Sequence, residues 1–197
     1  MAGVNLFPMK TSRVSSLLLF VLAAALFGTA PVSATDKTET LANPLIDFSG
    51  HLELTRRVGP LREKRRLAET EFLRLASEPN TIVLDARSGP MFERLHIQGA
   101  VNLSFPDFND ASLAQIVPTK DTRILIYCNN NFLGSPVAMT SKVAVSSLNI
   151  STYVALASYG YTNVYELGPL LTVKTTVLPL AGTEIETAAP AVKTKTP

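Results

Sequence analysis

The chain has 197 residues, with 18 Lys and Arg against 16 Asp and Glu, a formal net charge of +2, one cysteine and two histidines. That balance lacks the concentrated basic excess of a nucleic-acid binder, and a single cysteine excludes an internal disulfide. Two histidines and one cysteine give no spacing for a transition-metal cluster, and the glycines are too scattered for a phosphate loop, so no cofactor is expected.

Residues 1–34 carry Lys10 and Arg13, an apolar run of about eleven residues from Leu17 to Phe27, and then Val32-Ser33-Ala34. This order predicts a signal peptide cleaved after about Ala34, and export to a periplasm or the extracellular space. The run is far short of the roughly 20 residues that span a bilayer, so no permanent membrane anchor is expected. Both of the excess positive charges lie in this segment, so the remainder is close to neutral.

Residues 35–43 are polar and read as a flexible lead into one folded domain over 44–182. Residues 183–197, rich in Thr, Ala, Pro and Lys, read as a disordered tail. Within the domain, Pro44–Phe48 is a short strand candidate. Leu61–Ala76 has helical periodicity with Leu61, Leu67, Phe72, Leu73 and Leu75 available for the core, and Pro79 closes it. The basic cluster from Arg56 to Arg66 is interleaved with Glu63, Glu69 and Glu71. It reads as a solvated helix face with pairs such as Glu63 with Arg66 and Arg65 with Glu69.

Thr81–Leu84, Ala100–Leu103, Arg123–Tyr127 and Thr162–Glu166 are short apolar strands. Ser135-Pro136 has the look of a helix N-cap with proline at the first helical position, and Leu148–Ser158 is a helix closed by Gly160. Strands separated by helices predict an α/β fold: an open parallel sheet of about five strands with helices on both faces.

Cys128 follows the apolar run Arg123–Tyr127 and precedes Asn129, Asn130, Asn131, Phe132, Leu133 and Gly134. That places a thiol at the carboxyl end of a strand, where open α/β sheets gather ligands and helix amino termini. From composition alone the thiol is either an inert packing group or a reactive one.

Several blocks resemble the rhodanese-like sulfurtransferase family. Asp85-Ala86-Arg87 followed by His96-Ile97-Gln98-Gly99-Ala100-Val101-Asn102 resembles D-x-R and H-I-P-G-A-x-N. Ile124–Cys128 stands where that family has its cysteine strand. Gly160-Tyr161-Thr162-Asn163-Val164-Tyr165-Glu166-Leu167 resembles its G-[FY]-x-x-V-x-x-L block. The resemblance spans about residues 44–182.

It implies an exported, single-domain sulfurtransferase in which Cys128 takes up sulfane sulfur as a persulfide and passes it to a nucleophile. The implied partners are a small sulfur-containing anion and a thiol acceptor. It also implies that Asp85 and Arg87 hold the strand end, and that His96 is a fixed, hydrogen-bonded histidine rather than a general base.

Two departures stand out. The family's basic loop residue is here Leu133, and the phosphatase arginine position is Gly134, so the loop is uncharged and phosphatase chemistry is disfavoured. Asn129, Asn130 and Asn131 then act either as turn residues alone or as turn residues that also donate to an anion. The second departure is a Phe132–Ser147 segment about ten residues longer than a compact member would have. It either forms a lid from which Lys142 supplies charge, or is surface structure with Lys142 in solvent. A catalytically weak or inactive binding module, with the Cys128 loop as an anion or partner site, is the alternative function. A thiol-sensing role is a third reading.

Overall fold

The computed structural model describes residues 43–188; the expected signal peptide and residues 35–42 lie outside the described residues, as do residues 189–197 of the expected tail. In chain order, helix α1 (Phe48–Lys64), strand β1 (Arg66–Leu67) and helix α2 (Glu69–Ala76) lead into strand β2 (Thr81–Asp85). Helix α3 (Gly89–Arg94), strands β3 (His96–Ile97) and β4 (Val101–Asn102), and helix α4 (Asp110–Ile116) precede the central strand β5 (Arg123–Tyr127). Then come β6 (Phe132–Leu133), α5 (Leu148–Ser158), β7 (Val164–Leu167), β8 (Leu171–Thr172), β9 (Leu180–Ala181) and α6 (Thr183–Ala188).

The main sheet has five strands in the order β1-β7-β5-β2-β4, and every neighbouring pair is parallel. Both faces are covered, which is why β5 reads as an unbroken apolar run. Because side chains alternate, Val83, Leu125, Tyr127 and Leu167 pack on one face against Phe72 and Leu75 of α2. Leu84, Ile124, Ile126 and Val164 pack on the other, against Leu113 of α4 and Tyr153 and Leu156 of α5. Each of these apolar side chains, once fully buried, stabilises the fold by about 1.5–3 kcal/mol.

Three expected elements are corrected. Pro44–Phe48 is not a strand: Leu45 and Phe48 are exposed, and Asp47 caps α1 by accepting a hydrogen bond from the Gly50 N–H at 2.7 Å. The short apolar run gives way to a good N-cap.

The single helix expected over Leu61–Ala76 is two helices with β1 between them. Arg66 and Leu67 pair with Glu166 and Leu167 of β7, and this sheet pairing outweighs their helical propensity. Leu61, meant for the core, is 40% exposed. The Glu63–Arg66 pair forms at 3.5 Å. Arg65, turned out of the helix, instead donates to the Thr162 carbonyl and lies over the Tyr165 ring, so its expected pairing with Glu69 is replaced.

Ser135-Pro136 opens only one turn, closed by the Met139 N–H on the Ser135 carbonyl at 2.9 Å. The tail from residue 183 begins with the short helix α6, entered through Gly182 at φ +119°. Among the described residues no helix is long and apolar enough to cross a membrane.

Candidate functional site

Cys128 is the first residue after β5, at the carboxyl end of the central strand, and it is wholly buried. Asn129–Asn131 form a single 3-10 turn, after which β6 pairs with β8. The Cys128 Sγ lies 3.6 Å from the Ser147 Oγ, and Ser147 is the N-cap of α5. A thiol at the amino end of an eleven-residue helix faces the positive end of the helix dipole.

The three asparagines hold the loop in place. Asn131 is the hub: its Oδ1 accepts from the Cys128 N–H at 2.9 Å and from Asn149 Nδ2 at 3.0 Å. Its Nδ2 donates to the carbonyls of Leu167 at 2.8 Å and Pro169 at 3.2 Å. Asn130 exchanges two hydrogen bonds with the Lys142 backbone, donating to its carbonyl at 2.8 Å and accepting from its N–H at 2.9 Å. Asn129 donates to the Thr140 carbonyl. Asn129 and Asn130 thereby fasten the long segment 134–147 over the cysteine loop, each through one of its two amide N–H groups, while Asn131 ties the loop to residues 167–169. The Asn129 Oδ1 is buried and lacks a partner among the described residues.

Phe132 is fully buried and meets Tyr127 edge-on at 6.1 Å. Leu133, in the family's basic position, is 49% exposed, and Gly134 takes φ +97°, which favours glycine. Leu133 and Gly134 line a cavity of about 420 Å³ between the loop and residues 135–141.

Asp85 and Arg87 form a buried structural pair. All five guanidinium donors are taken: Nε and Nη2 face Asp85, Nη2 also reaches the Leu95 carbonyl at 2.7 Å, and Nη1 reaches the Ala138 carbonyl at 2.7 Å and Met139 Sδ at 3.1 Å. Burial by itself lowers the Arg87 pKa, but the hydrogen bonds and charge of Asp85 more than reverse this and leave it raised. Tyr127 donates to Asp85 Oδ2 at 2.6 Å and accepts from the Ile97 N–H at 3.0 Å. Burial, reinforced by the Asp85 charge, pushes the Tyr127 phenol well above its usual pKa, with Arg87 pulling the other way. Asn102 ties the same strand ends by donating to the Asp85 and Arg87 carbonyls, each at 2.9 Å. His96 is fixed by a 2.7 Å contact from Nδ1 to the Phe92 carbonyl and by stacking on Phe92 at 3.9 Å.

Beside the cysteine loop, beyond the carboxyl ends of β2, β4 and β5, opens a cleft of about 620 Å³. Arg87 and Ser88 follow β2, Ser104 and Phe105 follow β4, and Asn129 follows β5; Lys142, from the covering segment, stands exposed on its lining. The sequence placed Cys128 and its loop but missed Ser147 and Asn149. The signal for Ser147 was its place directly ahead of the Leu148 helix; nothing in the sequence marked Asn149.

A family profile described as Rhodanese-like domain matches residues 68–168, just over half of the 197 residues. The chain belongs to the rhodanese-like domain family. Solved structures similar to this rhodanese-like domain include a protein from Bacillus halodurans, with 15% identity, 68% of this chain and 88% of that one covered, and a TM-score of 0.46. A rhodanese-like domain from Anabaena has 23% identity, 64% and 85% coverage, and a TM-score of 0.45. An Escherichia coli rhodanese solved with anions has 20% identity, 52% and 98% coverage, and a TM-score of 0.34. No curated protein sequence matches the chain.

Proposed function

We propose that this is an exported rhodanese-like sulfurtransferase that carries sulfane sulfur as a persulfide on Cys128, with residues 1–34 as its signal peptide. The observation that carries the reading is the Cys128 thiol at the carboxyl end of the central strand, 3.6 Å from the Ser147 hydroxyl and against the amino terminus of α5. A thiolate, and the persulfide anion after it, gain stabilisation from a helix amino terminus and a hydroxyl donor.

The chemistry balances without a cofactor. The Cys128 thiolate attacks the outer sulfur of a sulfane donor, a new S–S bond forms, and the bond to the donor's remainder breaks with its electron pair. From thiosulfate the leaving group is sulfite; from a polysulfide it is the shorter chain. A second nucleophile, a thiolate or cyanide, then takes the terminal sulfur and restores the Cys128 thiolate. Because Cys128 is buried, transfer requires the cysteine loop to open toward the adjoining cleft, which Asn129 lines. Opening of an active-site loop on a fast timescale is ordinary for enzymes.

A second reading is favoured by that same burial and by the full occupation of the Arg87 donors. On it the protein is a binding module that turns over no sulfur. Intact mass of the chain from Thr35 onward, after incubation with thiosulfate, with polysulfide and with an organic persulfide, decides between them. Gain of one sulfur atom, removed by cyanide and absent in Cys128→Ser, supports the sulfurtransferase. No gain from any of the three donors, with the thiol intact, overturns it in favour of the module.

A further inference from the structure

The cleft beside Cys128 is not built for a compact dianion. Arg87 lies in its wall, yet all five of its donors are held by Asp85, Leu95, Ala138 and Met139. One of the two Asn129 amide N–H groups is held by Thr140, and the Thr140 hydroxyl donates to the Pro136 carbonyl at 2.6 Å. Among the described residues, the cleft lining then offers a ligand one cation outside a buried ion pair, Lys142, together with the hydroxyls of Ser88, Ser104 and Ser141. The rest is largely apolar, from Met91, Phe105, Pro106, Val137 and Leu148. At about 620 Å³ it has the size of an organic-molecule site, several times larger than thiosulfate fills.

We propose that this cleft binds an organic sulfane donor, a persulfide with an apolar body and a single carboxylate, in preference to thiosulfate. The carboxylate pairs with Lys142, and the apolar body lies against Met91, Phe105 and Val137. This substrate class rests on the sulfurtransferase reading, but the cleft's selectivity is measurable without sulfur transfer. The Cys128 thiolate takes the outer sulfur of R–S–SH, an S–S bond forms at Cys128, and the thiol R–SH leaves with the electron pair and a proton. No oxidant or reductant is needed.

The test uses an unreactive thioether analogue, S-benzyl-N-acetylcysteine, its neutral carboxamide, and thiosulfate, titrated into the purified protein carrying Cys128→Ser so that no transfer occurs. Binding is read by calorimetry and by amide NMR shifts. The carboxylate analogue is expected to bind at least about tenfold tighter than thiosulfate, shifting signals of Ala86, Val137 and Leu148. Lys142→Ala should weaken it about two- to fivefold, the range of an exposed charge pair, and leave the carboxamide unchanged. Val137→Trp, which fills the cleft from an exposed position, should abolish binding of both analogues. Thiosulfate binding as tightly as the analogue, or shifts confined to residues outside the cleft, overturns the proposal. Sulfur uptake by the wild type from thiosulfate alone would leave the sulfurtransferase standing and sink this substrate class.

Discussion

Asn131→Ala should be among the most damaging single truncations in this domain. The side chain makes three short hydrogen bonds, to the Cys128 N–H, the Asn149 amide and the Leu167 carbonyl, and a longer one to Pro169. Alanine leaves those groups without partners where water does not reach, since Cys128, Asn149 and Leu167 are all buried. At about 1–1.5 kcal/mol for each of the three short bonds, the loss is about 3–4 kcal/mol, a large part of the 5–15 kcal/mol that typically holds a domain together. Urea unfolding followed by circular dichroism should show a midpoint lower by about 1.5–2 M, for a slope near 2 kcal/mol per molar. The loop should also loosen, so alkylation of Cys128 by iodoacetamide under native conditions should accelerate. Asn131→Asp keeps both acceptor contacts but turns a carboxylate oxygen toward the Leu167 and Pro169 carbonyls. It should be at least as destabilised at neutral pH, and recover toward the alanine variant as the pH is lowered and the new carboxyl takes up a proton. A midpoint for Asn131→Ala within 0.5 M of wild type would refute the hub role.

Stability should fall in alkali partly through Tyr127. In the unfolded chain its phenol ionises near pH 10, while in the fold burial holds the proton on. Above pH 10 the unfolded state binds fewer protons, so the stabilisation present below that pH is lost at up to about 1.4 kcal/mol per pH unit as pH rises toward the folded pKa. Tyr153, likewise raised by burial, acts in the same direction. Tyr127→Phe should flatten the decline between pH 10 and 11; parallel slopes for variant and wild type would contradict this. Gly182→Ala should cost more than about 2 kcal/mol, because a Cβ there meets the Arg94 carbonyl oxygen at 2.5 Å and φ is +119°. A melting temperature lowered by less than about 4 °C would refute that estimate.

The parts of the fold visible in the sequence are those in which one local rule dominates. Thr81–Asp85 and Arg123–Tyr127 are short apolar runs between turn residues, and each became a strand packed on both faces. Leu148–Ser158 became α5 with the expected bounds. Where local and long-range preferences conflict, the sequence misled. Arg66 and Leu67 carry helical periodicity, yet β7 draws them into the sheet. Of the site, the position of Cys128 after an apolar run was readable from the residues, and the structural roles of Asp85, Arg87 and His96 were expected only from the family resemblance. The fastening of residues 134–147 was not, because Asn129 and Asn130 act on main-chain carbonyls more than ten residues away, which no side-chain pattern advertises. The occupation of Arg87 by Ala138 and Met139 was hidden for the same reason.

That grip on the main chain separates two properties that are usually entangled. The asparagines recognise backbone groups of Thr140 and Lys142, whatever side chains those positions bear. Val137, Ser141 and Lys142 can therefore be exchanged to retune what the cleft accepts while its closure stays intact. The segment works as an interchangeable faceplate on a fixed frame, and a small library confined to those three positions would sample ligand preference at little risk to folding.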